Sequence, residues 1–314
     1  MAFNNEAFTI TREQLTAPTG RTAIITGGSS GIGLQTALIL HDLGNNVAVI
    51  DRTPPSTTAP EPSRAPASLL SSSRFLFQQA DITNWASQRA AFEATLQKFK
   101  RIDFVYVNAG IAEYHDQFFS EDTDPASGLL AEPDRRVIDI DLQAADDTVR
   151  LAIHYLRMNE GRQGGSIVMT ASLAGYLASA GAPLYSAAKH GVVGLMRALK
   201  NDLATLNISI SVVAPGITLT PIISGRKPGQ SLQNWAVQMR ERGVPINSPE
   251  EVARCVVWLM SLGMEGNGKG MLVQAGRTAD LEAGIAKTRG MWMGEEMLAL
   301  FRGGRTAPLF PNKL

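Results

Sequence analysis

The sequence predicts an α/β fold: one doubly wound parallel sheet of about seven strands, with helices on both faces and a helical extension at the C-terminus. Three observations predict it. Short β-rich runs alternate with amphipathic helical patterns from residue 21 to residue 274, which is how strand–helix–strand crossovers build a parallel sheet. The first strand runs into a glycine-rich turn that opens a helix, as open α/β sheets begin. No repeat of fixed period and no second apolar core interrupts the alternation.

Residues 1–20 are polar and read as an N-terminal extension lying over the surface. TAIIT (22–26) is the first strand, followed by GGSSGIG and the helical LQTALILHDLG. VAVI (47–50) is the second strand, ending at Asp51. The domain is predicted over 21–275, interrupted at 53–73 (TPPSTTAPEPSRAPASLLSSS) by a flexible insertion rich in Pro, Ser, Thr and Ala without periodicity. FLFQQ (75–79) is the third strand, 85–98 a helix, and IDFVYV (102–107) a fourth strand running into Asn108-Ala109-Gly110. A variable polar loop over 113–131 precedes a long amphipathic helix at 132–158. SIVMT (166–170) is the fifth strand and leads to Ser172. A helix containing Tyr185 follows, then ISISVVA (208–214) as the sixth strand, ending at Pro215-Gly216. Residues 232–242 form a small helix, and 249–262 another with Ser248 as N-cap. MLVQ (271–274) is the seventh strand, and 276–314 a helical tail with apolar Met291, Trp292, Leu298 and Phe301.

Bulk properties narrow the function. The 29 basic and 29 acidic residues balance, so nothing points to a nucleic-acid partner or an anionic membrane. No apolar run approaches the ~18 residues of a membrane span. Cys255 is the only cysteine, which excludes an internal disulfide and fits a reducing, cytoplasmic location. The four histidines show no metal-ligand spacing, and no metal is expected.

Chemistry concentrates at the predicted carboxyl ends of the strands, where open α/β sheets bind ligands. Gly27, Gly31 and Gly33 can reach positive φ and bring backbone N–H groups to a pyrophosphate at a helix N-terminus. Their G-x-x-x-G-x-G spacing differs from the usual dinucleotide fingerprint G-x-G-x-x-G. Asp51, eighteen residues beyond Gly33, suits a ribose 2′-OH and repels a 2′-phosphate, so NAD is preferred over NADP. Arg52 beside it weighs the other way, because a guanidinium can hold a phosphate. Asp81 can reach an adenine edge, and Asn108, Ala109 and Gly110 keep the fourth strand's end slim where a ligand passes. Tyr185 and Lys189 are four apart on one helix face, where a cation favours a phenolate and lowers a tyrosine's ordinary pKa of ~10. The Ser172 hydroxyl is placed to bond the oxygen whose proton Tyr185 moves.

Together TGGSSGIG, NAG, the Ser172–Tyr185–Lys189 set and PGITLT resemble the short-chain dehydrogenase/reductase superfamily, in its ~250-residue Rossmann-type form, over residues 21–274. The resemblance implies Tyr185 as general acid/base, Lys189 as its tuner and ribose anchor, and Ser172 as polariser of the substrate oxygen. It places Gly27, Ser29, Ser30, Gly31, Ile32 and Gly33 around the cofactor's phosphates and adenosine, and Asp81, Ile82, Asn108, Pro215, Ile217 and Thr220 along the rest of it. Asp141 stands in Ile140-Asp141-Leu142 where the family usually has an Asn that holds a relay water. An Asp there would pair with Lys189 and offset its effect on Tyr185, predicting an altered proton relay with an alkaline optimum. The tail is similar to endings of fungal biosynthetic and prostaglandin-dehydrogenase-like members, pointing to a terpenoid or other lipophilic alcohol. A homodimer or homotetramer is implied by resemblance alone.

The leading expectation is an NAD-dependent oxidoreductase interconverting a secondary alcohol and a ketone. An NADPH ketoreductase and a non-catalytic nucleotide-binding regulator stand as alternatives.

Overall fold

The computed structural model describes residues 5–16, 18–159, 161, 163–223 and 230–304. Residues 1–4 of the expected extension, residues 224–229 and residues 305–314 of the tail lie outside the described residues.

The strands are β1 (Thr22–Thr26), β2 (Asn46–Asp51), β3 (Phe75–Gln79), β4 (Phe104–Val107), β5 (Gly165–Thr170), β6 (Ile208–Pro215), β7 (Gly270–Gln274) and β8 (Arg277–Asp280). They form one sheet in the order β3-β2-β1-β4-β5-β6-β7-β8. The first seven pair in parallel, and β8 turns back antiparallel on β7. The sheet therefore has eight strands rather than seven, and the first residues assigned to the helical tail are its edge strand. The chain winds outward from β1 to β3 and then restarts at β4 on the other side. This leaves a switch point between β1 and β4, the place such sheets open a ligand crevice.

The helices are α1 (Gly31–Asp42), α2 (Ala67–Leu70), α3 (Trp85–Phe99), α4 (Arg136–Ile138), α5 (Ala144–Leu156), α6 (Pro183–Thr205), α7 (Leu232–Glu241), α8 (Pro249–Ser261), α9 (Leu281–Lys287), α10 (Arg289–Met293) and α11 (Glu295–Gly304). Strand alternation sorts the core into two layers. Ala23, Ile25, Val47 and Val49 pack with Leu34 and Leu40 of α1 and with Val252 and Val256 of α8. Ile24, Ala48 and Ile50 pack on the other face with Phe92 of α3, Val149 of α5 and Val192 of α6. Ile24 and Ile25 are each fully buried, and each such side chain contributes about 1.5–3 kcal/mol. This two-faced burial is what holds the strand ends, and so the site, in register.

Helix ends follow their local chemistry. Ser248 caps α8 by accepting from Glu251 N–H, while the Glu251 carboxylate accepts from Ser248 N–H, a reciprocal capping box. The long helix expected over 132–158 begins at Arg136 and is not uniform. Between α4 and α5 the chain makes a π turn over Asp139–Gln143. A π turn inserts an extra residue and re-aims side chains, often at functional sites; here it holds Asp141.

The extension is tied down. Phe8 exchanges both backbone hydrogen bonds with Thr278 of β8, and Ile10 and Leu15 are buried in the α1/α8 layer. The stretch 53–73, expected as a flexible insertion, contains α2 and buries Ala65 and Leu69 against the same layer. Glu282 of α9 joins the tail to α6 through a paired bond to Arg197 and also accepts from the Tyr176 hydroxyl. Met291, Trp292 and Leu300 remain exposed.

Candidate active site

At the carboxyl ends of the strands lies a cleft of about 1080 Å³. One end is the glycine turn between β1 and α1. Gly27 has φ +64° and Gly31 φ +53°, a region that glycine enters at no steric cost. A Cβ on Gly33 would sit 2.3 Å from Gly27 O, so the helix can approach the turn only because that residue has no side chain. The Ser30 side chain at the α1 N-cap makes no capping bond.

Asn108, at the end of β4, ties this turn together. Its amide Nδ2 donates to Thr26 O at 3.2 Å and Gly27 O at 3.1 Å, and its N–H donates to Thr26 Oγ1 at 3.0 Å. The Thr170 hydroxyl lies 3.1 Å from Asn108 Oδ1 and 2.7 Å from the Tyr106 hydroxyl. Burial pushes the Tyr106 phenol well above its ordinary value, so it stays neutral in this network.

Asp51 ends β2 with both carboxylate oxygens in use: Oδ2 accepts from Ser29 N–H at 3.1 Å and Oδ1 from Thr53 N–H at 3.3 Å. Asp81 accepts from the N–H and hydroxyl of Thr83. Those bonds, with a smaller contribution from the Arg52 charge, hold its carboxyl below the usual range.

The other end is built on α6. Lys189 Nζ lies 5.5 Å from the centre of the Tyr185 ring and donates to Thr170 O at 3.0 Å. Asp141 Oδ2 stands 3.0 Å from the same nitrogen, and Asp141 Oδ1 accepts from Ile111 N–H at 2.8 Å. Burial alone would lower the Lys189 pKa, but the Asp141 charge and, after it, Tyr185 reverse this, and the net shift is upward. Ser172 follows β5 with its Oγ accepting from Ala174 N–H at 3.1 Å.

Most residues expected here line this one cleft: Ser172, Tyr185, Lys189 and Asp141, with Gly27, Ser30, Gly31, Ile32, Asp51, Arg52, Asp81, Ile82, Asn108, Ala109, Gly110, Pro215, Ile217 and Thr220. Ser29 and Gly33 do not reach its wall. Ser29 is turned toward Asp51 and Thr53, and Gly33 lies beneath Gly27. No described residue of the tail lines the cleft. Two residues were not foreseen. Glu113 Oε2 accepts from Tyr185 N–H at 2.9 Å, and the Tyr114 hydroxyl donates to Ile222 O at 3.3 Å. Only partners distant in sequence reveal them, and no local motif marks either.

A family model described as short chain dehydrogenase matches residues 21–231. The chain belongs to the short-chain dehydrogenase family. It is thus a dehydrogenase acting on a CH–OH group with NAD(P), which sets aside the reading as a non-catalytic regulator. It is 32% identical over 306 residues to short-chain dehydrogenase/reductase prx4 of Penicillium rubens, covering 92% of this chain and 84% of that protein. It is 30% identical over 308 residues to short-chain dehydrogenase/reductase ATR7 of Stachybotrys chlorohalonatus, covering 90% and 88%. Among solved structures, levodione reductase aligns with a TM-score of 0.62 at 26% identity, covering 82% of this chain and 97% of that one. Carveol dehydrogenase of Mycobacterium avium in complex with NAD aligns with a TM-score of 0.65 at 24% identity, over the same shares, and supports the fold.

The residues present suit the family's dinucleotide. Gly27 and Gly31 line the cleft and Gly33 lets the helix pack against the turn from beneath, at a helix N-terminus that favours phosphate. No helix among the described residues is long and apolar enough to cross a membrane.

Proposed function

We propose that this dehydrogenase is NAD-dependent and interconverts a secondary alcohol and a ketone on a lipophilic small molecule, a terpenoid or comparable secondary metabolite. One observation supports it above the others: buried Lys189, beside the Tyr185 ring, shares a cleft with the Asp51 carboxylate.

Bound NAD supplies the hydride acceptor; the protein's own groups move the proton and hold the partners. Gly27, Ser30 and Gly31 would cradle the pyrophosphate, and Asp51 and Asp81 the adenosine end. In oxidation, Tyr185 as phenolate takes the hydroxyl proton from the alcohol; in reduction it returns it. The Lys189 ammonium stands beside the Tyr185 ring, and Ser172 donates a hydrogen bond to the substrate oxygen. Asp141 moderates Lys189, so the relay differs from that of relatives with an amide there. Leu173, Leu177, Ile217, Ile222 and Trp235 line the same cleft and suit an apolar substrate.

An NADPH-dependent ketoreductase is the second reading, favoured by Arg52 in the cleft wall. A homodimer or homotetramer completes the proposal, supported by exposed Met291, Trp292 and Leu300 on the terminal helices and tested by light scattering. A cytoplasmic location accords with a single, buried Cys255. The deciding experiment is fluorescence titration with NADH and NADPH, followed by turnover of cyclohexanol, menthol and borneol. Tighter NADH binding with NAD-linked oxidation is expected; preference for NADPH would overturn the cofactor assignment.

A further inference from the structure

The first turn of α6 carries Tyr185, yet nothing in its own sequence holds it. Ala182 at the N-cap offers no side-chain acceptor, and Pro183 follows at the first position. A helix leaves its first N–H groups unsatisfied unless something outside accepts from them. Ser186 N–H is taken by Ala182 O. Tyr185 N–H is taken by the Glu113 carboxylate, from 72 residues away in sequence.

Where Glu113 comes from matters. It lies on the segment that leaves β4, five residues after Asn108, and Asn108 is pinned to Thr26 and Gly27 of the glycine turn. The same segment donates Ile111 N–H to Asp141 and the Tyr114 hydroxyl to Ile222 O. Glu113 therefore connects the turn bearing Tyr185 to the strand end that fixes the dinucleotide cradle. The second oxygen, Oε1, is buried with no hydrogen-bond partner among the described residues. Leaving a buried oxygen unpaired is costly, so surface chemistry alone does not account for a carboxylate in this place.

We propose that Glu113 is a positioning residue for Tyr185, setting the phenol's place relative to the cofactor through the α6 backbone. This rests on Tyr185 being the proton-transfer group, but one arm of its test does not. The shape of the hydrogen-bond acceptor is what the role requires, so Glu113→Gln keeps it. Glu113→Asp keeps the charge but withdraws the acceptor by one methylene, and Glu113→Ala removes both.

The test measures deuterium uptake of the peptide spanning Tyr185, NADH affinity, and kcat and KM for NAD-linked oxidation of borneol and cyclohexanol. For Glu113→Ala and Glu113→Asp, uptake should rise and kcat fall about tenfold or more, since small misplacements of reacting groups cost rates of this order. KM and NADH affinity should stay within about threefold, and Glu113→Gln should restore uptake and kcat. Unchanged kcat in the Ala and Asp variants makes Glu113 merely structural. A rise in KM instead makes it a substrate contact, and a Gln variant as impaired as Ala makes its charge the active feature. Each of these overturns the proposal, and if the Ala variant does not fold, the Asp and Gln variants decide alone. If the wild-type enzyme oxidises none of the alcohols, the functional reading fails, while unchanged uptake in Glu113→Asp would separately overturn the link to Tyr185.

Discussion

Asp141 Oδ2 stands 3.0 Å from Lys189 Nζ, with side-chain exposures of 1% and 5%. The pair is held at both ends, by Ile111 N–H on the carboxylate and Thr170 O on the ammonium. The carboxylate raises the Lys189 pKa against the opposing effect of burial, and so keeps the ammonium charged in a dry place. The same anion partly cancels the ammonium's field at its neighbours. Asp141→Asn should therefore move the pH–rate profile to lower pH. Profiles of wild type and variant for borneol oxidation check this, and superimposable curves would count against it.

Stability should respond to the same pair. Removing one partner of a buried pair strands the other charge, at a cost of about 3–5 kcal/mol. Asp141→Ala is expected to lose that much in urea unfolding, and Asp141→Asn less, because the amide still accepts from Ile111. For wild type the sign follows from the raised Lys189 pKa. The stabilisation is fully present below the ordinary lysine value of 10.5 and is lost as pH rises through the folded-state value. Thermal unfolding of wild type should fall more steeply than that of Asp141→Asn above that pH.

Much of this site was legible in the sequence because its parts sit at strand ends in a fixed order. TAIIT, Asp51, Asn108 and the Tyr185–Lys189 spacing each follow from local pattern, and the parallel sheet brings them together. β8 was not legible: RTAD is short and polar, and it turns back through Ala275 and Gly276, both at positive φ. Its pairing is completed by Phe8, which no local window includes. The π turn at Asp141 was hidden because one extra residue scarcely disturbs an apolar stripe. Ile10 and Leu15 lie among polar neighbours, and only the packed layer shows that they are buried.

Cofactor choice is expected to follow Asp51. A charge-assisted hydrogen bond contributes about 1.5–3 kcal/mol. Asp51→Ala should therefore narrow the NADH-over-NADPH affinity ratio by roughly tenfold or more, with part of the NADH loss reflecting release of Ser29 and Thr53. An unchanged ratio in paired fluorescence titrations would remove Asp51 from the ribose site.

Gly33→Ala should damage the cradle from beneath, because the new methyl would meet Gly27 O at 2.3 Å and Asn108 Nδ2 at 2.8 Å. Overpacking of this kind costs about 1–3 kcal/mol. NADH affinity should fall together with the melting temperature. A variant that binds NADH as wild type would show that the turn tolerates displacement.

The most direct test of the proposed chemistry compares wild type with Tyr185→Phe, following NADH absorbance during oxidation of borneol, menthol and cyclohexanol with NAD. Loss of a general acid/base typically costs about 10²–10⁴ in rate. The expected result is wild-type turnover with a variant slower by at least about a hundredfold and NADH affinity unchanged. Equal rates in the two proteins would contradict the assignment of Tyr185 as the proton-transfer group.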